Sequence, residues 1–100
     1  MRPLDIGRVV VRGRSMEPTL RDGDHLLVRW GARPRPGRLV VVRWPNLPLS
    51  VKRAGLLSPD GWWVERDNPQ EGTDSWSAGP VAPVDVLAVV LFRYWPPVRR

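Results

Sequence analysis

Six runs along the chain are dense in Val, Leu and Trp, and each is bounded by Gly, Pro or Asp. Arg8 to Arg12, His25 to Trp30, Arg38 to Trp44, Leu49 to Gly55, Trp62 to Glu65 and Val86 to Tyr94 are short and rich in β-favouring residues, and they predict strands. Pro34, Pro36, Pro45, Pro48, Pro59, Pro69, Pro80 and Pro83 fall between the runs, where a missing backbone donor costs no ladder bond. That punctuation leaves no room for a long helix. One helical turn starting at Ser15, with Glu17 and Pro18 early in it and Asp22-Gly23 ending it, is the best candidate. Ala32 to Gly37 reads as a turn-rich connection, Arg66 to Val84 as a long polar loop and Pro96 to Arg100 as a frayed tail. The pattern predicts a mainly β fold without repeats or an interdomain linker, in one domain spanning residues 1–100.

Composition narrows the class. A chain of 100 residues buries enough surface for one core, and 42% apolar with 26% charged residues is globular composition despite 12 prolines. With no cysteine there is no disulfide framework and no thiolate metal site, and a single histidine argues against zinc, so neither metal nor cofactor is expected. The longest apolar run, Val86 to Phe92, is far short of the roughly 20 residues that span a bilayer as a helix. Met1 to Arg14 carries charges throughout and lacks the apolar stretch of a signal peptide, which makes a cytoplasmic location the expectation.

The net charge of +6 and six tryptophans admit two binding readings: a basic β-barrel that contacts phosphates and stacks bases, or a protein that touches a membrane surface peripherally. The arginines are scattered rather than arranged in a stripe or block, which favours plain solvation over a nucleic-acid partner. More telling, 15 of the 16 basic residues are arginine and the sole lysine is Lys52. Arginine cannot lose its proton in a protein, whereas a buried lysine can.

The candidate chemistry begins at Arg12-Gly13-Arg14-Ser15-Met16-Glu17-Pro18-Thr19-Leu20, which runs directly into Gly23-Asp24-His25-Leu26-Leu27-Val28. It reads as strand, sharp turn, strand, with Gly13 letting the backbone approach a substrate carbonyl and the Ser15 hydroxyl projecting from the turn. A serine after a glycine is more often a cap or turn residue, so the local pattern alone does not make a nucleophile.

The longer strings change that. Ser15-Met16-Glu17-Pro18-Thr19-Leu20 resembles the SMxPTL box of the signal peptidase I family of Ser/Lys proteases. Gly23 to Val28 looks like that family's glycine-aspartate strand, and Val51-Lys52-Arg53-Ala54-Gly55 like its lysine-arginine box. Asp67-Asn68, Asp74-Ser75 and Gly79-Pro80-Val81 stand in the order of its last box, GDNxxxSxDSRxxG. Arg66 stands where that box has glycine, Gly72 where it has the hydroxyl that holds the lysine, and Trp76 where arginine follows the aspartate-serine pair. Thr73 and Ser75 are the alternative hydroxyls.

The resemblance implies a compact signal-peptidase/LexA-like β domain, the catalytic core only, acting as a serine endopeptidase. Ser15 attacks the scissile carbonyl, and neutral Lys52 takes its proton and returns it to the leaving amine. An ordinary lysine at pH 7 is neutral in fewer than roughly one molecule in a thousand, so this role requires burial. Leu49 and Val51 alternate away from Ser50 and Lys52, so the apolar wall must come from other segments. The Ser15 N–H is expected in the oxyanion hole beside Gly13, Met16 in the substrate pocket, and Arg53 in an ion pair with Asp74. His25, inside the second box without an acidic orienter, is expected to be a bystander. The unanchored core and the aromatic-proline tail Phe92-Arg93-Tyr94-Trp95-Pro96 resemble, more narrowly, the nickel-type superoxide dismutase maturation proteases, which implies a precursor protein with an N-terminal extension as partner. A LexA/UmuD-type self-cleaving domain is the alternative within the fold, disfavoured by the proline-threonine-leucine after Met16 and the short stretch before Ser15.

Overall fold

The computed structural model describes residues 5–97; of the expected tail, residues 98–100 lie outside the described residues. All six expected strands form: β1 (Ile6–Val10), β2 (His25–Trp30), β3 (Leu39–Val42), β4 (Ser50–Ser58), β5 (Gly61–Glu65) and β6 (Val86–Trp95). They build one sheet in the order β1-β2-β6-β3-β4-β5, with every neighbouring pair antiparallel. The mainly β expectation is borne out.

The strand ends differ from expectation for local reasons. β1 stops at Val10 because Val11 closes a loop instead: its N–H donates to Asp24 O and its carbonyl accepts from Gly23 N, each at 2.8 Å. β3 stops before Arg43, whose N–H turns to Asp85 O at 2.9 Å. β4 runs on to Ser58 through an irregularity between Ala54 and Leu57, and Ser58 Oγ donates to Gly61 O at 2.9 Å across the hairpin to β5.

Alternation along the strands makes two cores. Leu26, Val28, Val41, Val51, Ala88 and Val90 pack together with Val11, Met16 and Leu20. Val40, Val42, Ala54, Val64 and Val89 pack with Trp44, Trp62 and Val81. Consecutive β3 residues thus feed different cores, so this central strand is an unbroken apolar run buried on both faces. Each fully buried side chain of this size stabilises the fold by about 2 kcal/mol.

The helical turn expected after Ser15 takes the form of hydrogen-bonded turns, one of them the i to i+4 bond from Leu20 N to Met16 O at 2.9 Å. The expected loop from Arg66 to Val84 holds more order than predicted. It contains α1 (Ser75–Ala78), capped where Trp76 N donates to Asp74 Oδ1 at 3.0 Å. It also pairs Val81 with Trp62 through two backbone bonds of 2.7 Å. Among the described residues no helix is long and apolar enough to cross a membrane.

Candidate active site

The loop between β1 and β2 presents Ser15. Its base is closed by the Val11, Gly23 and Asp24 bonds, and Arg21 N donates to buried Asp24 Oδ2 at 2.8 Å. Gly13 takes φ of +84°, a conformation that suits glycine, and its N–H donates to Asp22 Oδ1 at 2.7 Å. Met16 and Leu20, 1% and 5% exposed, are sunk in the first core on either side of the turn, and Ser15 between Gly13 and Met16 is left half-buried at the surface.

Lys52 lies on β4 opposite Val40 of β3 and is 3% exposed. Its Nζ donates to Ser15 Oγ at 2.7 Å. Val51 points into the first core, while Ser50 and Lys52 line a cleft of about 460 Å³ with Ser15, Trp44, Leu47 and Pro48. The apolar wall therefore comes from the segment between β3 and β4. Burial is the main cause that pushes the Lys52 ammonium down from 10.5 to about 8; Asp74 opposes the shift and Arg66 adds to it. At about 8, roughly one molecule in ten is neutral at pH 7. If Lys52 is neutral, the short N···O line lets the Ser15 hydroxyl donate in return, which is the arrangement of a nucleophile and its base.

A second loop, 66–74, covers the pair. Asn68 N donates to Ser15 O and Asn68 Nδ2 donates to Arg14 O, both at 2.8 Å. Gly72, with φ of +98°, packs on Ser15 so closely that a Cβ built there would collide with the serine Cβ and lie 3.4 Å from Oγ. Arg14, ion-paired with Glu17 at 3.2 Å and Glu71 at 3.7 Å, ties the two loops at the surface.

Several expected roles fall differently. Arg53 does not pair with Asp74: its Nε and Nη2 donate to the two oxygens of Asp67 at 2.9 and 2.6 Å, and Nη1 donates to Gly37 O at 2.8 Å. The reason is register. Arg53 sits opposite Glu65 in the β4–β5 hairpin, so Asp67, just past the end of β5, reaches it first. Asp67 also accepts from Thr19 Oγ1 at 2.6 Å, and Arg53 above all, with Thr19, holds its carboxyl below the ordinary range. Asp74 is buried, caps α1 and faces Arg66, with Nε 3.8 Å away. Ser75 Oγ accepts from Val64 N at 2.8 Å, which ties α1 to β5. Thr73 lines the cleft, but among the described residues the hydrogen bond of Lys52 goes to Ser15.

Gly13 also lines the cleft, yet its N–H is taken by Asp22 and is not a free oxyanion donor. The Ser15 N–H makes no hydrogen bond among the described residues. Met16 is a core residue whose Sδ accepts from Asp67 N at 3.4 Å, and it also floors a recess of about 30 Å³ beside Ser15, walled by Val11, Leu49 and Val51. Trp76 is 76% exposed and meets Trp63 edge-on at 5.2 Å. His25 rests edge-on against Tyr94 at 5.9 Å and does not line the cleft. A larger groove of about 840 Å³ along Arg33, Trp62 and Val84 contains none of the candidate residues. Among the described residues no group of three or more His, Asp or Glu is placed to hold a metal ion.

Residues 2–91 match the model of the family described as peptidase S24-like. The mitochondrial inner membrane protease subunit 1 of Xenopus tropicalis is 30% identical over 118 aligned positions, which take in 91% of this chain and 71% of that protein.

Proposed function

The chain belongs to the peptidase S24-like family, and from that premise we propose that it is a serine endopeptidase in which Ser15 is the nucleophile and Lys52 its general base. The observation that carries the reading is the 2.7 Å hydrogen bond between Lys52 Nζ and Ser15 Oγ, made where burial lowers the ammonium to about 8. Neutral Lys52 accepts the hydroxyl proton as Oγ adds to the scissile carbonyl. The Ser15 N–H, free of other partners among the described residues, takes the developing oxyanion. Lysine then returns the proton to the leaving amine, and a water activated by the same amine releases the acyl group.

The recess of about 30 Å³ beside Ser15 is much smaller than the cleft of about 460 Å³, which supports a small residue on the acyl side of the cut. We propose that the substrate is a precursor that loses an N-terminal extension, with the nickel superoxide dismutase precursor, implied by the sequence resemblance, as the first to try.

The test is cleavage of a panel of precursor peptides, including a nickel superoxide dismutase N-terminus, by wild type, Ser15→Ala and Lys52→Arg across pH, with mass spectrometry locating the cut. Cleavage lost in both variants, with kcat/KM of the wild type rising tenfold per pH unit up to about 8, is the expected result. Unchanged cleavage in either variant would overturn the assignment. Cleavage of the purified chain by itself would favour the self-cleaving alternative.

A further inference from the structure

Arg66 is the half-buried residue that leads from β5 into the loop over Ser15. Its guanidinium is bonded on three sides to that loop. Nη1 donates to Gly72 O, Nη2 donates to Pro69 O at 3.2 Å, and Nε lies 3.8 Å from Asp74 Oδ2. The Arg66 backbone N–H donates to the same Asp74 oxygen at 3.4 Å. A planar fork with several fixed donors can make these contacts together, whereas a lysine ammonium on a flexible stem is a single point of charge.

What this hub holds is the covering of the nucleophile. Gly72, whose carbonyl it binds, is the residue in van der Waals contact with Ser15. Two of the three departures from the resembled last box, arginine at 66 and glycine at 72, therefore meet in one hydrogen bond.

The hub also bears on Lys52. Buried Asp74 attracts the ammonium form of Lys52, and the Arg66 cation beside Asp74 opposes it. From the other elements packed around Lys52, the first loop brings the Ser15 hydroxyl, Arg12 and Arg14, and the covering loop brings Glu71, paired to Arg14 at 3.7 Å. Across the β3 ladder Lys52 meets apolar Val40.

We propose that Arg66 is a positioning residue of the site: it ties the Gly72 loop down on Ser15 and offsets the carboxylate of Asp74 beside Lys52. The role rests on the Ser15/Lys52 reading, but half of it is measurable without any substrate. Lys52 is the sole lysine, so a protein labelled with ¹³Cε-lysine gives one titrating lysine resonance.

Arg66→Gln leaves the Asp74 charge unopposed and is expected to raise the Lys52 midpoint from about 8 by roughly one pH unit. Adding Asp74→Asn, which keeps a good helix cap, is expected to bring it back toward the wild-type value. Arg66→Lys keeps the charge and loses the fork: the label then gives two lysine resonances, of which the one titrating near 8 stays in place, while kcat on the cleaved peptide falls about tenfold with KM little changed. A midpoint unmoved in folded Arg66→Gln, or kcat undiminished in Arg66→Lys, overturns the proposal. Should Arg66→Gln fail to fold, Asp74→Asn alone must lower the midpoint, and an unmoved midpoint there overturns it equally. A shifted midpoint in a protein whose wild type cleaves nothing would count against the peptidase reading and leave the charge balance standing.

Discussion

The backbone N–H of Asn68 donates to the carbonyl of Ser15 at 2.8 Å, while the Asn68 side chain donates to the carbonyl just before it, that of Arg14, at the same distance. One residue of the covering loop thus holds the peptide from which the Ser15 side chain projects. Asn68→Ala keeps the first bond and removes the second. The expected cost is about 1 kcal/mol of stability, read by denaturant unfolding, together with a fall of about tenfold in kcat, because Ser15 gains freedom to turn from Lys52. An activity equal to wild type would show that the Arg14 carbonyl needs no holding.

Burying Lys52 destabilises the fold wherever the amine is charged. Its folded value is about 8 and its ordinary value 10.5, so below pH 8 the ammonium is present in both folded and unfolded chains and the full cost applies. The difference corresponds to roughly 3 kcal/mol. Between pH 8 and 10.5 the unfolded chain binds more protons than the folded one, so wild-type stability rises with pH relative to a chain lacking the amine. Lys52→Met should therefore be inactive yet more stable than wild type at pH 7, with the gain shrinking toward pH 10.5. Thermal unfolding of both proteins across that range reads it directly, and a destabilised Lys52→Met would contradict the burial cost.

Gly72→Ala meets two obstacles at once: φ of +98° and a new Cβ inside the Ser15 side chain. The loop must move or Ser15 must rotate. A loss of roughly 1–3 kcal/mol in stability and a fall of about a hundredfold in kcat/KM are expected. Unfolding curves and cleavage assays on the same preparation separate the two effects, and wild-type activity would mean that the loop is free to lift.

The Arg53–Asp67 pair gives a signature in acid. The Asp67 carboxyl is held low chiefly by Arg53, so its contribution is fully present above the ordinary carboxylate value of about 4 and is lost as pH falls through the lowered one. Wild type should melt at a higher temperature than Asp67→Asn near pH 6, with the two curves converging in strong acid. A gap that persists unchanged to the lowest pH would show that the charge is not what matters.

The strands were legible because each apolar run is short, β-rich and fenced by Gly or Pro, and a buried central strand such as β3 needs only an unbroken run of valines. Ser15 and Lys52 are legible through the strings around them, Ser15-Met16-Glu17-Pro18-Thr19-Leu20 and Val51-Lys52-Arg53-Ala54-Gly55, with the isolation of one lysine among arginines as a second sign at Lys52. The loop past β5 was harder. A single turn of helix at Ser75–Ala78 has no periodicity to detect, and its signal is the Asp74 cap alone. Choosing between Asp67 and Asp74 for Arg53 required the hairpin register, which Glu65 opposite Arg53 supplies only once the sheet is paired. Asp22, read as the end of a turn, fixes Gly13. Arg66 stood out only as a mismatch, because its partners are carbonyls of its own loop, and backbone acceptors leave no trace in residue identity.

Met16 and Leu20 anchor the Ser15 turn in the same core that β2, β3 and β6 build. Ser15 is thus part of the folding unit rather than an ornament on it, and a change of selectivity has to be made elsewhere. Leu47 and Leu49, each about half exposed, and Glu71 border the cleft and the recess from loops that carry none of that core. An engineer who wished to redirect this protein to a new peptide would vary those rims and leave the turn untouched.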